Sequence, residues 1–253
     1  MTCLLRYKLS LTVAVVLALL YAFQSLYQDF IYVFSNAFPP FIAGAAVATA
    51  LIGLRKYGYN LGILFSFIWF CFTLGVALWF LGELGWAIYT LALGVEIPYP
   101  SLADIFWLSG YLPFFIALLL YLKPFTLALS KRSIGVVSLI IAALCIFVVV
   151  SLIPPLYSAQ EDLVTLAVDL AYPILDLLLF ALALLGVAVF FKGKIGKSWL
   201  LISLALALTA VADLTFSYTT LQGTYYNGHP IELLYHWAYI LYALAFYVHS
   251  KEL

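Results

Sequence analysis

The stretch Glu96–Lys123, EIPYPSLADIFWLSGYLPFFIALLLYLK, decides how the rest of the chain is read. A proline-rich turn leads into Asp104, an almost unbroken apolar run follows, and Lys123 closes it. The run from 101 to 122 meets the length of about 20 residues that a helix needs to cross a bilayer. A carboxylate entering that helix is costly in hydrocarbon and implies either a cap or partners.

The same pattern extends over the whole sequence. Its 253 residues are 67% hydrophobic and 9% charged. Soluble domains sit at about half apolar and about a quarter charged. No single soluble core hides this much apolar side chain, so lipid is the expected solvent. The expected fold is all-α, one integral membrane domain over residues 1–253. Eight spans can be read, at 9–31, 36–54, 61–91, 101–122, 134–153, 163–191, 198–219 and 231–248. Pro39-Pro40 fall near the start of the second, where proline is tolerated. Pro154-Pro155 end the fifth, and Pro173 offers a break within the sixth. Residues 1–25 read as an uncleaved helix rather than a signal peptide, because no small-x-small site follows the apolar run.

Charge placement sets the orientation. Arg6, Lys8, Arg55, Lys56, Lys123, Lys131, Arg132, Lys192, Lys194, Lys197 and Lys251 all fall on one side of an eight-span threading. By the positive-inside rule that side is the cytoplasm, with both termini in it. Asp29, Glu96, Glu161 and Asp162 mark the opposite side. Cys3, Cys71 and Cys145 are scattered, and no disulfide is expected. The scarcity of Gln, Asn, Cys and Met fits a thermophilic source.

An internal repeat recurs at about 128–130 residues. Glu83 aligns with Asp213, Asp104 with Glu232, and Tyr111 with Tyr239. Units of approximately 1–125 and 131–253 follow, four spans each and in the same orientation.

The acids form the candidate site. Glu83, Asp104, Asp169, Asp176, Asp213 and Glu232 lie within or at the mouths of spans, all in their outer halves or near the midplane. Asp104, Trp107 and Tyr111 share a helical face through Leu108. Asp169, Tyr172 and Asp176 repeat that spacing around Pro173. Glu232, His236 and Tyr239 repeat it again, with Tyr235 between them. A tyrosine hydroxyl donating to a carboxylate lowers the cost of holding it away from water. Asp104 and Glu232 also suit helix N-termini, and "SLAD" has the form of a capping box. Glu83, Asp176 and Asp213 lie too deep to cap; their alternatives are a ligand site or structural bonds between helices.

Several classes are excluded or disfavoured. Every lysine sits in a flank, so a retinal-type Schiff base has no partner. Nothing resembles a nucleophile elbow. His236, Asp213 and Glu232 form a conceivable metal set, but no dense ligand motif supports one, and no cofactor or metal is assigned.

"YPSLADIFWLSGYLP", "LAYPILDLLLFALALL" and "ADLTFSYTTLQGTYYNGHPIELLYHWAYILYALAF" together resemble the multi-span membrane module at the N-terminus of bacterial and archaeal diguanylate cyclases and sensor histidine kinases. The resemblance covers roughly residues 75–248. It implies a sensory input domain, with Ser101, Asp104, Tyr172, Asp176, Asp213, Tyr225, Glu232 and Trp237 at matching positions. In that family a catalytic output domain follows; here the chain reaches "SKEL", so a stand-alone or truncated module is expected.

The expectation is therefore a non-enzymatic sensor with an outward-facing acidic and aromatic pocket for a small molecule, a cation or a lipid headgroup. Membrane lipid and a cytoplasmic signalling protein are its expected partners, and nucleic acid is not. A cation or metabolite transporter is the first alternative, and an intramembrane metal-assisted enzyme the second.

Overall fold

The computed structural model describes residues 3–95, 97–158, 162–191 and 196–252. Glu96, Glu161, Lys192 and Lys194, which entered the charge partition, lie outside them. Among the described residues nine α-helices account for nearly all regular structure, with no strand. They are α1 (Cys3–Ala22), α2 (Gln28–Lys56), α3 (Leu64–Ala87), α4 (Leu102–Leu122), α5 (Lys131–Phe147), α6 (Ile153–Ser158), α7 (Leu163–Phe190), α8 (Lys197–Leu221) and α9 (Glu232–Glu252). Wider π-helical turns extend α3 through Ile88–Leu93 and join α5 to α6 through Val148–Leu152. Gly94, with φ 61°, ends the α3 extension in the left-handed conformation that glycine adopts without strain.

Six helical stretches are long and apolar enough to cross a membrane: Gln28–Lys56, Leu64–Leu93, Leu102–Phe125, Lys131–Leu156, Leu163–Phe190 and Lys197–Leu221. This is compatible with a multi-pass membrane protein. The first and last of the eight expected spans fall short of that measure. Tyr7–Ala22 is a shorter apolar helix. α9 is diluted by Glu232, His236 and His249, all of which it buries against other helices.

Helices α2, α3, α4, α7, α8 and α9 pack in that cyclic order, each against the next and α9 back against α2. α1 packs on α9, and Trp237 Nε1 donates to the Ala14 carbonyl at 3.2 Å. α5 packs on α7 and contributes little core: 11% of its apolar window is buried, against 33–50% for the other five.

The seam between α3 and α4 is close along its length. A Cβ at Gly110 would meet Trp79 at 2.5 Å, one at Gly82 would meet Trp107 at 2.4 Å, and one at Gly75 would meet Phe114 at 2.8 Å. Small residues allow such approach where no hydrophobic force pulls helices together in lipid. At the other end of the bundle Tyr121 stacks on Trp199 at 3.2 Å and Trp69 on His249 at 3.6 Å.

Some expectations need correction. α2 begins at Gln28, so Asp29 opens α2 instead of closing the first span, and Pro39-Pro40 sit mid-helix. The Ser35 hydroxyl and Asn36 amide donate to the Tyr32 carbonyl just before them, and the helix runs through. Pro154-Pro155 open the short α6. Pro173 is buried within an unbroken α7, so the expected break is absent. Cys71 and Cys145 are free thiols.

Candidate functional site

The acids find tyrosines rather than cations. The sequence holds no lysine or arginine between Lys56 and Lys123, or between Lys197 and Lys251. Neutral O–H donors stabilise these carboxyl groups, and among the described residues no basic side chain bonds them.

At the rim, Ser101 is the N-cap of α4. Its N–H and hydroxyl both donate to Asp104 Oδ2, at 2.7 and 2.8 Å, while its Oγ accepts the Ala103 N–H. The expected capping box is present. Tyr172 donates to Asp104 Oδ1 at 2.8 Å, so the same carboxylate ties α7 to α4. Asp104 is thus bonded on both oxygens by its own protein. Replacing Ser101 with alanine removes the cap, and thermal unfolding should show a loss of about 1 kcal/mol. Asp169 lies further out, taking the Tyr99 hydroxyl from the loop before α4. Asp162 caps α7. The Thr165 hydroxyl, and then the Thr165 and Val164 N–H groups, hold its carboxyl below the ordinary range.

Glu232 organises the start of α9. Its Oε1 accepts the Tyr225 hydroxyl at 2.9 Å and the Gly228 N–H at 2.8 Å, and its Oε2 accepts the Tyr21 hydroxyl at 2.9 Å. Tyr21 also lies 2.8 Å from His236 Nε2. A hydroxyl has one hydrogen. Given to Glu232, it leaves the imidazole N–H to donate to the tyrosine oxygen. His236 is wholly buried, its ring edge-on to Phe34 and Phe38, with Nδ1 unpartnered. It therefore faces α1 and α2 and stands apart from the deeper acids.

Those deeper acids meet inside the ring. Tyr111 on α4 donates to Asp176 on α7 and reaches Asp213 Oδ2 on α8 at 3.3 Å. Tyr235 on α9 donates to Asp213 Oδ1 at 2.7 Å. Tyr239, one turn further, donates to Glu83 Oε1 on α3 at 2.9 Å. Asp176 is 0% exposed, and its Oδ2 has no hydrogen-bond partner. Glu83, Asp213, Tyr172 and Tyr235 keep part of their surface accessible. So do Trp86, Trp107 and Phe216; Trp86 contacts both of the other rings. Partly exposed acids beside aromatic faces suit a cation, which both attract.

The eleven expected site residues therefore divide into three groups. Glu83, Trp107, Tyr111, Asp176, Asp213 and Tyr239 belong to the deep core. Asp104, Asp169 and Tyr172 form the rim, and Glu232 and His236 form the α1–α9 junction. Tyr21, Tyr99 and Gly228 were not legible as partners. Each comes from a segment far from its acid or from a loop, where no helical spacing links the two. Trp86, whose Nε1 donates to Asn36 Oδ1 at 2.8 Å, was likewise hidden among interface aromatics.

Two crevices lie elsewhere. One of 430 Å³ between α5 and α7 has Arg132 at one end, and an apolar one of 280 Å³ lies between α1 and α2. Among the described residues no group of three or more His, Cys, Asp or Glu side chains is placed to hold a metal ion. No protein-family model, curated protein or solved structure matches the chain.

Proposed function

We propose that this chain is a non-enzymatic sensory or ligand-binding module of the membrane. In this reading it has eight spans and cytoplasmic termini, and its acid–tyrosine core receives a small cation or polar molecule from outside. The observation that carries the reading is the deep core itself. Three carboxyl groups on three helices are held by tyrosines of two others, with no basic residue bonded to them among the described residues. The resemblance to input modules of diguanylate cyclases and sensor kinases points the same way. The order α2–α3–α4 followed by α7–α8–α9 around the ring supports two similar units. α1 and α5, seated on α9 and α7, are where those units differ.

Sensing by such a core means that ligand changes the packing of α7 and α8 and a partner reads the shift. Thermal unfolding of the purified chain across monovalent and organic cations, pH and polar metabolites tests this. At least one class should raise the transition temperature, and the Asp176→Asn/Asp213→Asn double variant should lose the response. A variant that responds as wild type does would sink the proposal. Gradient-driven uptake into proteoliposomes would instead favour the transporter reading, which the unbroken α7 disfavours.

A further inference from the structure

Asp176 and Asp213 sit at one tyrosine hydroxyl. Tyr111 donates to Asp176 and its oxygen lies 3.3 Å from Asp213 Oδ2, so the two carboxyl groups flank one hydroxyl. Ionised carboxylates only accept, so two of them in contact repel unless something positive lies between. Asp176 takes one donor, Tyr111, and its Oδ2 is enclosed with none. Asp213 takes Tyr235, and the Tyr111 oxygen lies 3.3 Å from its Oδ2. Buried polar atoms almost always have a partner, so an orphan oxygen near a second carboxyl calls for a donor.

We propose that Asp176 and Asp213 form a proton-binding site, in which one proton is shared between the two carboxyl groups and exchanges with water on the accessible side of Asp213. One carboxyl then donates to the other, and the pair carries one negative charge. Release of the proton to water leaves two carboxylates and two negative charges, a state that drives the groups apart or draws in a cation.

The surroundings favour a proton as occupant. α4 offers Tyr111, α9 offers Tyr235 and Tyr239, and Glu83 on α3 is bonded to Tyr239. α7 itself adds Tyr172, which is committed to Asp104. From α5, packed behind α7, Cys145 is exposed, and the charges Lys131 and Arg132 sit at the start of that helix. His236 is engaged with Tyr21. No positive side chain reaches the pair, and no third acid, histidine or cysteine completes a metal set among the described residues. Asp176 is sealed while Asp213 is partly accessible, so exchange passes through Asp213.

Infrared spectroscopy of the full chain in lipid nanodiscs tests this without any ligand, so it stands or falls apart from the thermal-shift result. Wild type at neutral pH should show a protonated-carboxyl C=O band that shifts in D2O. Asp176→Asn and Asp213→Asn should each lose one carboxyl equivalent of it. Should either variant fail to fold, Tyr111→Phe keeps both acids and should retain the band at a shifted position. A wild-type spectrum without the band, or a band unchanged in Asp213→Asn, overturns the proposal. So does a band that appears only when sodium and potassium are removed, which would assign the pair to a monovalent cation.

Discussion

Gly110→Ala should destabilise the protein by about 3 kcal/mol or more, although alanine is the better helix former by about 1 kcal/mol. The added carbon would lie 2.5 Å from Trp79 Cδ1 and Nε1 and 3.3 Å from the Gly75 carbonyl. Trp79 cannot yield freely. It is 3% exposed, packs against Tyr111 and Phe114, and donates its Nε1 hydrogen to the Trp107 carbonyl at 2.9 Å. Moving the indole therefore adds a lost buried hydrogen bond, about 1–3 kcal/mol, to an overpacking cost of about 1–3 kcal/mol. The consequence reaches the site, because Tyr111 follows Gly110 on the same helix. Gly135→Ala is the control, since nothing lies within 4 Å of its Cβ position. Thermal unfolding of both in one detergent checks the claim, and equal stability would mean the seam is looser than its distances say.

Glu232→Ala should cost about 3 kcal/mol, because it strands two donors at about 1–3 kcal/mol each. The Tyr225 hydroxyl and the Gly228 N–H lose their acceptor, while the Tyr21 hydrogen turns from Glu232 to His236 Nε2, whose own proton moves to Nδ1. Glu232→Gln keeps one acceptor oxygen and should lose only about 1 kcal/mol. The variants also separate in where they open. Hydrogen exchange should rise in the loop between α8 and α9 and in α1, which that carboxylate ties to α9 through Tyr21. A rise confined to α9 would show that Glu232 acts only as an N-terminal charge.

Individual residues show how much was legible beforehand. The helical class and most boundaries follow from apolar length. 163–191 became Leu163–Phe190, and 101–122 became Leu102–Leu122 with Ser101 as cap. Prolines misled, because a helix packed among others satisfies the backbone groups that an isolated one exposes. Pro39, Pro40 and Pro173 all lie inside helices. Spacing correctly put an acid and a tyrosine on each face, but not which acid meets which tyrosine. Asp104 and Tyr111 share a face, yet one bonds Tyr172 and Ser101 while the other bonds Asp176 and Asp213.

Hydropathy alone determined that six helical stretches are long and apolar enough to cross a membrane, because that is a property of composition along one segment. Only the tertiary structure decided that Asp104 is a satisfied cap, that His236 turns to α1, and that Asp176 and Asp213 share the Tyr111 hydroxyl. Partnership between segments more than 30 residues apart depends on helix order and rotation in the ring, which no local period encodes.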